Sequence, residues 1–449
     1  MKTDCSTLHY TSPAHGGWGV VRLAMLVPES YQLFVCPFAC GRHGALGAIA
    51  HGLKDRLSYL YIDESDIVSG GYEDLIPEGV AELLETLEKR PKVLMIFVSC
   101  LDDLLGTDHE SILAVLREQH EDVRFTFCHM NPITLDTDNP PPVNIRRKMY
   151  GLLEPSEVKK RQVNLIGNPV QIRPESELYG FLQALGMEQV NHIAQFETFE
   201  AYQQMAAAQW NLVIAPPAVK PAMDMKDWLN IDFELAYTNY REEDILNTYE
   251  QLMEKLADKE DVRFDLEPYR ERARQAVREA REAVGDRPVF IDYTAVIFPF
   301  AAARALCEAG FHVAGIFART IGAGEKEHAD WIYEHMPEIQ IMNPIAHDIP
   351  AKIGAFPEDS IAIGFEAAYV TRARHVYGLV NNEGNFGFDG LIRLMQGIVH
   401  AVQVEEDLET LIKKLWVGDI MHKLSIQLPP FAPDYSGVCS HCLHLAACW

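Results

Sequence analysis

The fold class is decided most clearly by KVLMIFVSCLDDLLGTDHESILAVLREQ, residues 92–119. Residues 92–99 form an almost unbroken apolar run rich in Val, Ile and Phe, which predicts a strand buried on both faces. Residues 109–119 follow with amphipathic spacing and enough length for a helix. A buried strand followed by an amphipathic helix is typical of an α/β fold whose parallel sheet is covered on both sides.

The same pattern recurs along the chain. Further strands are predicted at residues 32–37, 57–62, 124–129, 162–167, 191–196, 211–215, 232–238, 288–293 and 312–318. Helices are predicted at residues 77–89, 176–185 and 295–309, and a long charged helical stretch at 242–284. The segment NPITLDTDNPPPVN, residues 131–144, is rich in Pro and Asp and predicts a loop before a domain junction.

A chain of 449 residues is too long for one ordinary core. The repeated strand–helix–strand order predicts three Rossmann-like domains with central parallel sheets. We place them at residues 1–160, 161–285 and 286–449, and the last also carries a cysteine-rich tail.

The charge and the cysteine content limit the possible functions. A formal net charge of −26 argues against binding to nucleic acid, which depends on clustered Lys and Arg. No signal peptide and no apolar run of membrane-spanning length is apparent, so we expect a cytoplasmic protein without a membrane partner. In that compartment the nine cysteines are expected to be core residues, metal ligands or redox groups rather than disulfides.

The chain lacks the sequence motifs of two common enzyme classes, nucleotide-binding enzymes and serine hydrolases. The chain has no G-x-x-x-x-G-K-[ST], and IGAGEKE at residues 321–327 does not make G-x-G-x-x-G. It also lacks the G-x-S-x-G of a serine hydrolase. If ATP is used, we expect another chain to hydrolyse it.

Three cysteines lie at or just after the carboxyl ends of predicted strands, where open α/β sheets place their ligands. These are Cys36 and Cys40 in VCPFACGRHG, and Cys100 in IFVSCLDDLLG. Thiolates on separate loops suit a soft metal or an iron–sulfur cluster. Spacing alone leaves the alternative that Cys36 and Cys40 are two packed thiols.

Several segments resemble the nitrogenase component 1 type oxidoreductase family, which includes nitrogenase molybdenum–iron protein subunits and light-independent protochlorophyllide reductase subunits. They occur in the family's order. Cys5 precedes HGGWG at residues 15–19, and FACGRHG (38–44), DIVSGGYEDL (66–75), VSCLDDLLGTDHESI (98–112) and NFGFDGLIRL (385–394) follow. The likeness spans almost the whole chain and implies three Rossmann-like domains.

The resemblance implies a set of ligands. Cys5, Cys40 and Cys100 match the three cysteines with which family subunits hold an interfacial iron–sulfur cluster, of the 4Fe–4S or an eight-iron type. Cys36 has no counterpart and is either an extra or substitute ligand or a packed thiol. Cys128 and Cys307, in an apolar strand and a helix, are expected in the core.

The chain departs from nitrogenase around its second cofactor. NLVIAPPAVKPA at residues 211–222 has Ala215 where the cofactor's cysteine would be expected, and His375 cannot be aligned with the histidine ligand. A second metallocofactor is therefore uncertain, and the resemblance to protochlorophyllide reductase would imply an organic substrate instead. Candidate polar residues for lining such a site are His15, Arg42, His43 and Lys220.

The tail SGVCSHCLHLAACW contains three further cysteines, Cys439, Cys442 and Cys448, interspersed with His441 and His444. Cys-x2-Cys can chelate zinc or an iron–sulfur cluster. The alternative is an apolar or redox-labile segment that packs on a partner.

These observations favour a subunit of a two-component reductase that passes low-potential electrons through its cluster to a substrate. The implied partners are a homologous second subunit, in a heterotetramer or homo-oligomer, and an ATP-hydrolysing reductase resembling the nitrogenase iron protein. One rival is a scaffold or carrier for metalloclusters without turnover, and a more remote rival is a Rossmann-like binding protein without metal. No catalytic residue and no substrate can be named from the sequence.

Overall fold

The computed structural model describes residues 8–12, 19–38, 40–41, 44–45, 48, 52–131, 134, 137–257 and 263–405. Within these ranges thirteen strands form three sheets, and every pairing between the strands is parallel. Helices connect the strands. The predicted α/β class with three parallel sheets is confirmed.

The strands of each sheet are consecutive in the sequence. The first sheet contains β1 (Ser30–Cys36), β2 (Leu57–Tyr61), β3 (Val93–Ser99) and β4 (Arg124–Met130), in the order β2-β1-β3-β4. The second contains β5 (Lys160–Ile166), β6 (Gln189–Asn191), β7 (Ala208–Val213) and β8 (Asp232–Leu235), in the order β6-β5-β7-β8. The third contains β9 (Val289–Asp292), β10 (Val313–Phe317), β11 (Gln340–Met342), β12 (Ile361–Ile363) and β13 (His375–Tyr377), in the order β11-β10-β9-β12-β13.

The α-helices with stated bounds fall between and after these strands. They are α1 (Gly19–Ala24), α2 (Glu64–Val68), α3 (Tyr72–Thr86), α4 (Cys100–Leu105), α5 (His109–Gln119), α6 (Pro141–Tyr150), α7 (Glu177–Ala184), α8 (Phe199–Tyr202), α9 (Val219–Leu229), α10 (Glu242–Leu256), α11 (Glu267–Val284), α12 (Pro299–Glu308), α13 (Lys326–His335), α14 (Phe365–Thr371) and α15 (Gly387–Gln403). Residues 38, 40–41, 44–45 and 48 are also helical.

The chain divides into two compact units. One comprises Gly17–Gln171 and Gly186–Ala236, and it holds the first two sheets. The other comprises the described residues of Met1–Gly16, Ile172–Leu185 and Tyr237–Trp449, and it holds the third sheet. The three domain ranges given above remain a prediction.

The first sheet shows why an apolar run becomes a central strand. All seven residues of β3 are buried. Leu33 and Val35 of β1 pack with alternate residues of β3 in one cluster against α3 and α5. On the opposite face the ring of Phe34 stacks on that of Phe97, with centroids 4.7 Å apart. Both faces of β3 therefore need apolar side chains.

Three expectations about local structure were wrong. The predicted loop 131–144 ends earlier, because α6 begins at Pro141, where a proline without an N–H is well tolerated. The predicted strand 191–196 ends at Asn191, since the His192 side chain accepts a hydrogen bond from Ala194 N and starts a 3₁₀ turn. The stretch 242–284 is two helices, and the second begins with a proline in its first turn.

Of the described helices, none combines the length and the apolar character required to span a lipid bilayer.

Candidate functional site

The order of strands in the first sheet creates a crevice at one edge. The strand after β1 is added on one side of the sheet and the strand after β3 on the other, so the order of strands switches between the parallel neighbours β1 and β3. Ligands of open α/β sheets bind outside the carboxyl ends of the strands at such a point. Cys36 is the last residue of β1, and Cys100 directly follows β3.

Cys36 and Ser99 lie on the same face of the sheet. The stacked rings of Phe34 and Phe97 identify that face, and side chains two residues further along a strand point the same way. Both Cys36 and Ser99 are buried. A thiol and a hydroxyl thus lie side by side on neighbouring strands below the crevice.

Cys40 is carried by the helical residues that follow β1, and its side chain is exposed. The neighbouring Gly41 allows this segment to approach the sheet, because a Cβ there would lie 2.7 Å from Cε1 of Tyr59. Phe38 packs its ring on Tyr61, with centroids 5.0 Å apart. The cysteine–glycine pair therefore brings an accessible thiol close to β2.

The thiols at this edge affect one another electrostatically. Burial, together with the smaller effect of the neighbouring Cys40, raises the pKa of Cys36 to about 12. Burial also raises the pKa of Cys40, and the second cause is the charge of Cys100. Cys40 thus interacts electrostatically both with Cys36, at the end of β1, and with Cys100, which lies 60 residues further along the chain.

This donor set fits an iron–sulfur cluster. Cys40 is exposed and Cys100 is half-buried, so both thiols are accessible to a ligand. Burial of Cys36 and Cys40 disfavours the thiolate form of these two residues, and bound metal cations would remove that penalty. Cys5 lies outside the described residues.

A buried carboxylate anchors the helix that carries Cys100. Asp102 accepts hydrogen bonds from Tyr72 Oη at 2.8 Å and from His109 Nε2 at 2.7 Å. Burial acts to raise the pKa of Asp102, but these hydrogen bonds outweigh it, and the pKa is lowered. The ionised Asp102 ties α4 to α3 and α5, which fixes the position of Cys100.

A second carboxylate–imidazole pair adjoins the first. Asp103 accepts hydrogen bonds from His129 Nδ1 and Asn131 Nδ2, both at 2.8 Å. The rings of His109 and His129 meet edge to face with centroids 4.9 Å apart. This network was not predicted from the sequence, although the paired aspartates two and three residues after the cysteine of VSCLDD were a signal for it.

In the second sheet the corresponding point lies at the carboxyl ends of β5 and β7, where residues of the chain itself fill the space. Gly167 follows β5 with a φ of +132°, and a Cβ there would lie 2.7 Å from the backbone nitrogen of Ala215 after β7. The buried guanidinium of Arg146 donates twice to the carbonyl of Gly167, at 3.1 and 2.6 Å. Ala215 thus packs against the backbone of Gly167.

At the corresponding point of the third sheet, a buried carboxylate fills the space between the strand ends. Asp292 at the end of β9 is fully buried and accepts hydrogen bonds from Thr294 N and Oγ1, Ala295 N and Ala367 N. A Cβ at Gly364 would lie 2.3 Å from this carboxylate. Burial raises the pKa of Asp292 to about 6, against these hydrogen bonds.

A carboxylate also occupies the helix terminus where a nucleotide phosphate would bind in this sheet. Glu325, within the IGAGEKE segment, accepts a hydrogen bond from Phe300 N at 2.7 Å in the first turn of α12. Its burial raises the pKa of Glu325 to about 7. This agrees with the lack of a nucleotide motif.

The remaining predicted residues lie elsewhere. His375 is a buried residue of β13 whose Nδ1 bonds to the carbonyl of Ala401, and Lys220 donates to Asn139 Oδ1 at 3.2 Å. Cys128 and Cys307 are buried, as expected of core thiols. His15, Arg42, His43, Cys439, His441, Cys442, His444 and Cys448 lie outside the described residues.

Comparison with known proteins identifies a family model and a fold. Residues 16–403 match the model described as nitrogenase component 1 type oxidoreductase. The solved structure "Nitrogenase Cp1 at pH 6.5" is 14% identical, with a TM-score of 0.68 over 89% of this chain and 94% of that chain. "Nitrogenase Cp1 at pH 5" is 13% identical, with a TM-score of 0.57 over 92% of both chains. No curated protein sequence matches the chain.

Proposed function

Because the chain belongs to the nitrogenase component 1 type oxidoreductase family, we propose that it is a subunit of a two-component reductase. It holds an iron–sulfur cluster at a subunit interface and passes low-potential electrons to a substrate. The single observation that carries this proposal is the convergence of Cys36, Cys40 and Cys100 at the crevice between β1 and β3.

In this proposal Cys40 and Cys100, together with Cys5, ligate the cluster, which is of the 4Fe–4S or an eight-iron type. Once bound, the cluster supplies one-electron chemistry at low potential. The hydrogen bonds to Asp102 and Asp103 hold α4, and therefore Cys100, in place. The electrostatic interaction of Cys36 with Cys40 supports an extra or substitute ligand, whereas its complete burial supports a packed thiol.

Exposed apolar side chains around the crevice support a partner subunit. Phe38 after β1, Tyr61 at the end of β2, Val68 in α2 and Leu104 in α4 are 68%, 45%, 79% and 75% exposed. Apolar residues grouped at one edge are typical of an interface. The proposed occupant is a homologous component 1 subunit, in a heterotetramer or a homo-oligomer, which would complete the cluster site.

The electron donor in this proposal is an iron-protein-like reductase that hydrolyses ATP, since this chain lacks a nucleotide motif. The complex is proposed to work in the cytoplasm under anaerobic conditions, with neither nucleic acid nor membrane as a partner. The tail residues Cys439, Cys442 and Cys448 are a proposed second metal site. A nitrogenase-type second cofactor is not part of the proposal, because residues 211–222 around Ala215 contain no cysteine.

The test is anaerobic purification with iron and acid-labile sulfide analysis, followed by reduction with an iron protein and ATP. We expect a coloured protein whose cluster spectrum changes only when the iron protein and ATP are both present. Protein without iron and sulfide would contradict the proposal.

A second candidate is a scaffold or carrier that assembles metalloclusters without turnover. The backbone contact between Gly167 and Ala215 favours it, because that part of the second sheet offers no thiol to a substrate-reducing cofactor. Incubation of the loaded protein with an apo acceptor separates the two functions. Transfer of iron and sulfide without electron uptake from the iron protein would support the scaffold.

A further inference from the structure

One polar group at the crevice has no role in the functions described so far. Ser99 ends β3, its side chain is only 4% exposed, and its Oγ has no hydrogen-bond partner among the described residues. The hydroxyl does not cap α4, although Ser99 is the N-cap residue of that helix. An unpaired buried hydroxyl is destabilising unless a partner arrives from outside the chain.

The position of Ser99 limits what that partner can be. Ser99 directly precedes Cys100, and it lies on the same face of the sheet as Cys36 on the neighbouring strand. The described side chains on this face include the aromatic rings of Phe34, Phe97 and Tyr59, and Met130 is the register partner of Ser99 on β4. The Tyr59 hydroxyl is also buried and unpaired, so it does not satisfy Ser99. We take the remaining acceptors near Ser99 to be sulfur atoms or a ligand bound to them.

Ser30 provides an internal comparison. It is another buried serine of the same sheet, at the opposite end of β1. Its Oγ donates to the carbonyl of Val27 at 2.7 Å and accepts from Arg56 at 2.7 Å. Ser30 is satisfied within the fold, whereas Ser99 is not.

We infer that the Ser99 hydroxyl donates a hydrogen bond to a sulfur atom of the cluster that occupies this crevice, and so raises the reduction potential of that cluster. The inference rests on the proposed function. A hydrogen bond to sulfur stabilises the more negatively charged, reduced state more than the oxidised state. Ser99 is thus a residue that tunes the bound group rather than a ligand to iron.

The experiment compares Ser99→Ala, Ser99→Thr and Ser30→Ala in the anaerobically purified full chain, by iron analysis and a redox titration followed by electron paramagnetic resonance. In Ser99→Ala we expect unchanged iron and a reduction equilibrium about tenfold less favourable, which is about 59 mV for a one-electron couple. Ser99→Thr keeps a hydroxyl and should titrate close to the wild type. Ser30→Ala should also keep the wild-type potential.

Two results would overturn the inference. An unchanged potential in Ser99→Ala would exclude the hydrogen bond, and loss of iron from Ser99→Ala would make Ser99 a ligand or a structural residue instead. A wild-type protein without any cluster would refute the proposed function itself, so the two failures are distinguishable.

The cluster-free protein gives a second measurement. Ser99→Ala removes an unpaired hydroxyl and should leave the urea midpoint unchanged or higher, whereas Ser30→Ala removes two hydrogen bonds and should lower it. A lower midpoint in cluster-free Ser99→Ala would mean that Ser99 has a partner within the fold, and would overturn the inference.

Discussion

The carboxyl edges of the first and third sheets have the same architecture and opposite chemistry. In both, two neighbouring parallel strands lead to next strands on opposite sides of the sheet. Open α/β sheets form a crevice at such a point. In the third sheet the buried Asp292 fills this position and accepts hydrogen bonds from four groups of its own unit. In the first sheet the position is lined by thiols and by the unpaired hydroxyl of Ser99.

The fold therefore provides a crevice in both sheets, and the side chains that line it decide whether it can bind a ligand. A carboxylate surrounded by backbone N–H groups is satisfied and stabilises the loops around it. The unpaired hydroxyl of Ser99 leaves the first crevice with an unsatisfied polar group until something binds.

The largest effect is expected from Cys100→Ala, which removes a proposed ligand from the open crevice. We expect loss of most of the cluster iron and of its paramagnetic spectrum, because a cluster needs its thiolates. The matched control is Cys128→Ala, a buried thiol of β4 in the same sheet. If Cys100→Ala retained the iron and spectrum of the control, Cys100 would not be a ligand.

Gly364→Ala tests how tightly the crevice of the third sheet is packed around Asp292. The new Cβ would lie 2.3 Å from the Asp292 carboxylate, at a residue with a φ of +105°. We expect the free energy of unfolding to fall by about 4 kcal/mol, because overpacking and backbone strain add. Urea unfolding measures this change.

Gly285→Ala in the same unit is the control for Gly364→Ala. Its φ and ψ are +61° and −135°, and nothing lies within 4 Å of the added carbon, so only backbone strain of about 2 kcal/mol is expected. Equal losses of unfolding free energy in the two variants would show that the crevice around Asp292 can accommodate an extra methyl group.

Glu325→Gln tests the carboxylate that fills the start of α12. Burial raises the pKa of Glu325 from its ordinary 4.5 to about 7, so the folded state binds this proton more tightly than the unfolded state. Wild-type stability should therefore fall, relative to the variant, as pH rises from 4.5 to 7, by about 3 kcal/mol in total. Urea unfolding of both proteins at a series of pH values measures it, and parallel pH profiles would contradict it.

The smallest effect is expected from Tyr72→Phe, which removes one of the hydrogen bonds to Asp102 and leaves that from His109. We expect a loss of about 1 to 2 kcal/mol in the free energy of unfolding, since the acceptor is ionised. In the loaded protein the paramagnetic signal should broaden as Cys100 becomes less well positioned. A signal and a stability equal to those of the wild type would remove Asp102 from the support of the site.

The local part of the fold could be predicted from the sequence. An apolar run such as residues 92–99 predicts a buried strand because periodicity depends only on neighbouring residues. The errors occurred where a single side chain overrides the pattern, as with His192 at the end of β6 and Pro141 at the start of α6. Such events depend on one hydrogen bond or one missing N–H, which periodicity does not detect.

The sequence by itself determined the α/β class, the position of cysteines at strand ends and the resemblance to the nitrogenase component 1 family. Only the tertiary structure decided that Cys40 and Cys100 interact, that Asp102 binds Tyr72 and His109, and that Asp292 and Gly364 close the third crevice. The physical reason is distance along the chain. These groups lie up to 72 residues apart in sequence, and only the order of strands in each sheet brings them together.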